Sequence, residues 1–395
     1  MSFSEWHSAV LTEIMDIIGG GTPKTTVEEY WNGDINWISV KDFNGDGKHI
    51  FDTEKTITEL GLKKSSTKLL QPKDIIISAR GTVGELGVIK KPMAFNQSCY
   101  GLRAKEGYDA DYLYYLLKNC IKVLQNNTHG SVFSTITKDT FNQISVNIPP
   151  LQEQKAIANI LSSLDEKIEL NNQMNKTLEE MSQALFKRWF VDFEFPNEDG
   201  EPYKSSGGEM VDSELGMIPK GWVVSTLGNI INIGSGKRPP KKSPILDSEY
   251  IIPLIGASSI MGYVPEPLFD EPILVIGRVG THGVVQRFNN KVWPSDNTLV
   301  IKTAYYEYVY QTLKLIDYSA INRGSTQPLI TQSDIKATNI IKPGLDIMKK
   351  YEEIISKLFE QVNCNNTQSK MLETSRDVLL PKLMSGEIRV TDLQN

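Results

Sequence analysis

The chain is written twice, and any fold proposed for it has to accommodate the repeat. Trp6, Leu11, Ile14, Ile17, Gly20 and Pro23 return 216 residues later as Trp222, Leu227, Ile230, Ile233, Gly236 and Pro239. Gly81, Thr82 and Gly84 return 199 residues later as Gly280, Thr281 and Gly283. From Gly130 onward the offset holds at 194, so that Ile136-Thr137 answers Ile330-Thr331, and Pro149 and Leu151 answer Pro343 and Leu345. The shrinking offset puts the extra residues of the first copy in its first two thirds, in loops that tolerate insertion. A 395-residue chain of this kind predicts two globular units rather than one core.

Within each copy the pattern changes once. Short β-type runs, Asp74-Ile75-Ile76-Ile77-Ser78 and Pro272-Ile273-Leu274-Val275-Ile276, stand between Gly, Pro and Asn turns. Short helices are expected over 111–118 and 307–315. After Pro149-Pro150 apolar residues recur at Ile157, Leu161, Leu164, Ile168, Leu178, Met181 and Leu185, with no Gly or Pro before Pro196. About 40 residues at roughly 1.5 Å each make a rod of about 60 Å, which suits a coiled coil better than a globular helix. The second copy repeats the stripe from Leu345 to Pro381, where proline should end or kink the helix.

Asn171, Asn172 and Asn175 interrupt one seam, and Asn363, Asn365 and Asn366 the other. Either they are buried and fix register, or they are solvated where the helices part. The simplest arrangement pairs the helices antiparallel. The expected class is α+β, with two globular α/β domains in pseudo-two-fold tandem repeat, separated by two long antiparallel coiled-coil helices. The expected division is a first domain over 1–150, a helix over 151–190, an acidic linker over 191–218, a second domain over 219–344, a second helix over 345–385 and a tail over 386–395. Symmetry then brings the tail beside Trp6, and the polar stretch Ser205-Ser206-Gly207-Gly208 reads as a flexible loop.

A net charge of −6 argues at first against a nucleic-acid partner, but its distribution reverses the argument. Eight acids and one base lie between Asp192 and Gly216, whereas twelve Lys and Arg oppose nine Asp and Glu from Trp222 to Pro343. The acidity is thus local, and a phosphate-binding surface elsewhere is permitted. Cys99, Cys120 and Cys364 are scattered, with no histidine cluster nearby, which excludes a zinc-type spacing and a disulfide framework. No stretch approaches the roughly 18 apolar residues of a membrane helix, and the start lacks a signal-peptide pattern. A cytoplasmic protein without metal is expected.

Several strings resemble those of a known family. Pro149-Pro150-Leu151-Gln152-Glu153-Gln154 leads into Ile157-Ala158-Asn159-Ile160-Leu161, which looks like the conserved helix of type I restriction specificity subunits. The run from Phe186 to Phe195, the string Leu215-Gly216-Met217-Ile218-Pro219-Lys220-Gly221-Trp222 and the ending from Leu379 to Val390 are similar to other parts of that family. Together with the repeat, the resemblance covers nearly the whole chain. The first copy lacks the Leu-Gly-x-Ile-Pro-x-Gly lead-in, and the second helix lacks the Pro-Pro-Leu-Gln-Glu-Gln string. The resemblance implies two target-recognition domains that each read half of a bipartite double-stranded DNA site. It implies helices that set the spacing and dock two modification subunits, with restriction subunits completing the enzyme. S-adenosylmethionine, ATP and Mg would belong to those partners, and this chain would bind no cofactor and carry no catalytic residue.

Reading bases needs side chains that hydrogen-bond their edges, and positioning needs groups that meet phosphates. The first half offers Lys24, Thr25, Lys41, Arg80, Thr82, Asn96, Gln97, His129 and Ser131. The second offers Lys237, Arg238, Lys241, Lys242, Ser258, Arg278, Thr281, His282, Asp296, Asn297, Arg323, Ser325 and Thr326. The bland account is turn chemistry, since Gly, Ser, Asn and Asp populate turns for backbone reasons. Arg80, Arg278 and Arg323 stand out, because an arginine close to glycine on a loop approaches phosphate or guanine easily. Trp6 and Trp222 read as core, and Trp189 and Phe190 as helix packing.

Two rival functions remain open at this point. One is a self-contained enzyme, either a DNA methyltransferase or a nuclease; an adenine methyltransferase should show an Asp/Asn-Pro-Pro-aromatic motif, but Asn147-Ile148-Pro149-Pro150-Leu151 has neither its spacing nor its aromatic, and no phosphate loop occurs. A coiled-coil scaffold would bind no duplex DNA.

Overall fold

The computed structural model describes residues 6–43, 47–126, 135–279, 283–321 and 329–390. It divides into two compact units, one of Met1–Gln173 with Asn365–Asn395 and one of Met174–Cys364. Each unit takes its globular part from one copy of the repeat and helical segments from both.

In unit 1 a five-stranded sheet runs in the order Met15–Gly19, Cys99–Ala104, Ile75–Ser78, Leu86–Ile89 and His49–Ile50. Neighbours are antiparallel except the last pair. All four residues of Ile75–Ser78 are buried, which accounts for an isoleucine run without alternation. A second sheet orders Lys55–Ile57, Trp31–Ile38, Met93–Phe95 and Leu69–Leu70, with one parallel contact, Trp37 to Ala94 and Ile38 to Phe95. His7–Val10 pairs with Ser145–Ile148 and ties the two ends of the globular part together.

Unit 2 repeats this plan. Its larger sheet is Asn232–Ser235, Thr298–Lys302, Ile273–Gly277 and Val285–Phe288; its smaller is Ile260–Val264, Ile252–Ile255 and Trp293–Pro294. The parallel contact recurs as Leu254 to Trp293 and Ile255 to Pro294, and Val223–Thr226 pairs with Asn339–Lys342 as the closing ribbon. The first copy's extra residues form the helix Glu59–Lys63 and the strand His49–Ile50, which have no counterpart among the described residues of unit 2, whereas the pairing of Leu70 with Met93 recurs there as a single bridge between Phe269 and Val292.

The expected short helices are Ala110–Asn126 and Tyr306–Leu315. The first is longer than 111–118 because Cys120 and Leu124 continue its buried face. Two further helices, Lys138–Asn142 and Gln332–Lys336, start at Thr137 and Thr331, whose hydroxyls accept from the Thr140 and Asp334 N–H groups.

The long helices are Leu151–Phe186 and Leu345–Ser385. The first passes into a five-residue π turn, Lys187–Val191, that buries Trp189 and Phe190 as packing residues. Pro381 does not end the second helix, which continues to Ser385. The proline removes one backbone hydrogen bond, and the flanking Leu380, Leu383 and Met384, buried in the unit 1 core, hold the segment helical against that loss. In unit 1 the helices run antiparallel: Asp165 meets Arg376, and Asn171 meets Asn365, Gln368 and Ser369. The asparagines divide between the two expectations. Asn171, Asn175 and Asn365 are buried, while Asn172, Asn363 and Asn366 face solvent.

Each globular part is joined to the helices through a cation, buried in unit 1 and half-buried in unit 2. In unit 1 Lys48 Nζ donates to Asp111 Oδ1 and Ser162 Oγ, both at 2.9 Å, and lies over the rings of Tyr114 and Tyr115. Tyr115 Oη donates to Asp165 Oδ2 at 2.6 Å, and Asp165 pairs with Arg376 at 2.8 Å. In unit 2 Arg287 takes the role of Lys48: it donates to Glu307 Oε1 at 2.7 Å and sits over Tyr306, Tyr310 and Phe359. Phe359 is the repeat counterpart of Asp165, so charge at one junction is answered by an aromatic ring at the other.

The acidic segment is folded onto unit 2. Phe195 stacks between Tyr203 and Trp222 at 4.6 and 4.8 Å, and Met210–Val211 pairs with Ile218–Pro219. Where a flexible loop was expected at 205–208, a turn is held by Ser206 N to Pro202 O and Gly208 N to Tyr203 O.

Candidate nucleic-acid interface

In unit 1 four chain passages meet at one end of the sheets. The strand Met15–Gly19 ends against the Phe95–Ser98 turn so closely that a Cβ on Gly20 would lie 2.1 Å from the Asn96 carbonyl oxygen. Only glycine permits that approach. Gly21 N then donates to Phe95 O, and Asn96 N donates to Ile38 O at 2.9 Å. Ala79 N and Arg80 N both donate to Ser98 O, at 2.8 and 3.2 Å. The result brings Lys24, Thr25, Lys41, Arg80, Thr82 and Gln97 to the surface around one mouth, all exposed, with Asn96 half-buried among them.

Their side chains are not equally free. Asn96 Oδ1 accepts from Ser98 N at 3.0 Å, so its amide shapes the turn, and Gln97 accepts from Thr22. Lys41 lies 3.9 Å from Glu54 with both side chains exposed, an ion pair of little worth. Lys41, Lys55 and Asn96 border a shallow depression floored by Trp37, about 310 Å³ in volume.

Unit 2 builds the same mouth from other residues. A Cβ on Gly236 would lie 2.2 Å from Ser295 O; Lys237 N donates to Pro294 O, Ser295 N to Ile255 O, and Arg278 N to Asn297 O. Lys237, Arg238, Lys241, Lys242, Ser258, Asp296 and Asn297 are exposed around it, and Arg278 is half-buried. The turn carrying Ser258 is held by Gln286, whose Nε2 donates to Gly256 O and Ala257 O. His129, Ser131, Thr281, His282, Arg323, Ser325 and Thr326 lie outside the described residues.

The two arginines near glycine are not equivalent. Ile136 N donates to Ala79 O, whereas Ile330 N donates to Arg278 O, so Arg278 answers Ala79 and Arg80 answers Val279. The mouths therefore share a backbone and differ in the side chains presented. Trp37 and Trp293 were missed as mouth residues; their indole N–H groups donate to Gly21 O and Lys237 O at 3.0 and 2.7 Å. Their only signal in the sequence is a tryptophan within a short β-type run.

Electrostatics at the junctions favour structure over chemistry. Burial pushes Asp111 up, but the Lys48 hydrogen bond and charge, with Lys73, hold it below the usual carboxylate range. Burial, aided by Lys90 and Lys48, lowers His49 to about 4, so it is neutral at physiological pH. Burial raises the Cys99 thiol to about 12 and the Cys120 thiol to about 11, which leaves both unreactive. Among the described residues no group of three His, Cys, Asp or Glu could hold a metal ion, and no helix is long and apolar enough to cross a membrane.

Two copies of one sheet plan, each ending in an exposed polar mouth and each seated on paired long helices, define a tandem protein that presents two matched polar surfaces. The type I restriction modification DNA specificity domain matches residues 4–180 and again 219–374. The MjaIX specificity subunit of Methanocaldococcus jannaschii is 30% identical over 98% of this chain and 95% of its own length. The EcoprrI specificity subunit of Escherichia coli is 23% identical over 92% of each chain. The crystal structure of a type I restriction-modification S subunit from M. genitalium shares the fold, with a TM-score of 0.60 at 17% identity over 97% of this chain and 96% of that one. The chain belongs to the type I restriction modification DNA specificity family. It is a DNA-recognition subunit with two specificity domains and no catalytic role of its own, and subunits of this kind work in complexes with other subunits and DNA.

Proposed function

We propose that each mouth reads one half of a bipartite DNA target, and that the helices fix the gap between the halves. The observation that carries this reading is the repetition of the mouth: the same backbone contacts hold Gly20 and Gly236 against a turn, while the side chains around them differ. A reader made twice from one gene, with different side chains on one frame, suits two half-sites of different sequence. In unit 1 exposed Arg80, Lys24, Lys41, Thr25, Thr82 and Gln97 are the contacts expected at bases and phosphates, with Asn96 shaping the loop. In unit 2 they are Lys237, Arg238, Lys241, Lys242, Ser258, Asp296, Asn297 and Arg278. The candidates at His129, Ser131, Thr281, His282, Arg323, Ser325 and Thr326 belong to the same proposal.

In the cytoplasm the subunit would dock two modification subunits on its helices, and these would methylate adenine using S-adenosylmethionine. Restriction subunits, with ATP and Mg, would complete the nuclease. The test is single-molecule methylation sequencing of a host that carries the complete enzyme. With this subunit present, one split motif should be methylated, and the motif should vanish with its gene. Inserting four residues after Lys176 should lengthen the gap and leave the bases unchanged. A methylated motif without a gap, or one that persists without the subunit, contradicts the proposal.

A further inference from the structure

The small sheets of the two units are covered differently, although Ile252, Leu254 and Val264 of unit 2 are buried like Trp37 and Ile57 of unit 1. In unit 1 the turn Glu28–Tyr30 and the helix Glu59–Lys63 lie against the sheet, with Leu62, Trp31 and Ile35 packed on Trp37 and Ile57. Among the described residues, segment 237–272 of unit 2 contains no helix. Its hairpin and the preceding loop instead present Ile245, Leu246, Ile260 and Met261 to solvent, at 70%, 56%, 51% and 49% exposure.

These side chains sit on a shaped surface. Ser243 N and O exchange hydrogen bonds with Tyr263 O and N, which pins the loop to the edge strand. Ser243 Oγ accepts from Ile245 N and donates to Ile245 O, and Asp247 Oδ1 accepts from the N–H groups of Glu249 and Tyr250. The turn thus holds Ile245 and Leu246 outward. Exposed apolar side chains gathered on one hairpin and its pinned loop are a candidate interaction surface.

Charge says what covers it. Lys237, Arg238, Lys241 and Lys242 precede the loop within six residues, all exposed and none with an ion-pair partner among the described residues. Lys237 N is bonded to Pro294 O at the mouth, and Ser243 to Tyr263 at the far end of the edge strand. The basic run therefore leads from the reading mouth to the apolar loop. Duplex DNA matches that pairing, with phosphates for the cations and thymine methyl groups and sugar carbons for the aliphatic side chains.

We infer that the lobe formed by Ile245, Leu246, Ile260 and Met261 lies against duplex DNA in the bound state, an apolar contact that unit 1 does not make. The inference rests on the proposed reading function, and the test separates the two. The probe is a duplex that the wild-type full-length chain enriches from a random-sequence library, with the dissociation constant measured from 50 to 200 mM salt. The double change Ile245→Ser with Leu246→Ser should weaken binding at least tenfold at every salt concentration and leave the slope of log Kd against log salt unchanged. Ile260→Ser with Met261→Ser should act the same way. Lys241→Ala with Lys242→Ala should instead lower the slope by about two. Ile245→Val with Leu246→Met should retain wild-type affinity, which distinguishes a lost contact from a damaged fold. Wild-type affinity in both serine variants, or a loss confined to assembly with protein partners, overturns the apolar contact and leaves the reading function standing. A wild-type chain without salt-dependent affinity for any duplex overturns the reading function itself.

Discussion

Asp165 and Arg376 face each other at 2.8 Å with side chains 8% and 5% exposed, and Tyr115 donates to the same carboxylate. Removing one partner of such a pair leaves the other charge buried and unmatched. Arg376→Met should therefore destabilise the chain by about 3–5 kcal/mol, whereas Asp165→Leu with Arg376→Met should recover most of the loss. Chemical unfolding of the two variants checks it; equal losses would mean that packing, and not the uncompensated charge, sets the cost. None of this was legible beforehand, because the two residues stand 211 apart and an isolated Asp or Arg on a polar helix looks solvated. The same blindness affected Lys48 and Arg287. They perform one job from different places in the repeat, so no offset could align them. Gly20 and Gly236 were legible as matched positions, but the carbonyl oxygens that exclude a side chain there became visible only in three dimensions.

At the scale of elements the long helices were the easiest to foresee, since their apolar stripe and constant offset are local properties. The π turn at Lys187–Val191 and the passage of the second helix through Pro381 were not, because both depend on aromatic and aliphatic packing supplied by distant segments. The helix Tyr306–Leu315 shows how one element is tied to another. Glu352, on the second long helix, accepts from the N–H groups of Glu307 and Tyr308 at 3.0 and 2.8 Å. Burial first, opposed by these bonds, raises its carboxyl from 4.5 to about 7. The folded chain thus keeps a proton that the unfolded chain gives up. The group's contribution is full below about pH 4.5 and is lost as pH rises through about 7. Glu352→Gln should flatten the fall in unfolding midpoint between pH 5 and pH 8 relative to wild type. An unchanged slope would assign that fall to other carboxyls, Glu307 first among them, since burial raises it too.

For the whole molecule, the repeat explains more than any single motif. Symmetry foresaw the C-terminal segment beside Trp6. In unit 1 Arg389 pairs with Glu153 at 2.8 Å, Trp6 Nε1 donates to the same carboxylate at 3.2 Å, and Gly386 packs on the indole. In unit 2 the repeat counterpart of Arg389 is Phe195, which stacks on Trp222, so a cation and an aromatic ring close matching corners. Composition was a poorer guide: the overall negative charge reflects one folded segment against Trp222 and not the mouths. The central claim is that each copy reads its own half of one target. It is tested most directly by replacing 222–342 with the matching region of a relative of different specificity and mapping methylated adenines in a host that carries the assembled enzyme. One half-site should change to that of the relative, with the other half and the gap preserved. Loss or change of both half-sites in a fully assembled enzyme would contradict the account.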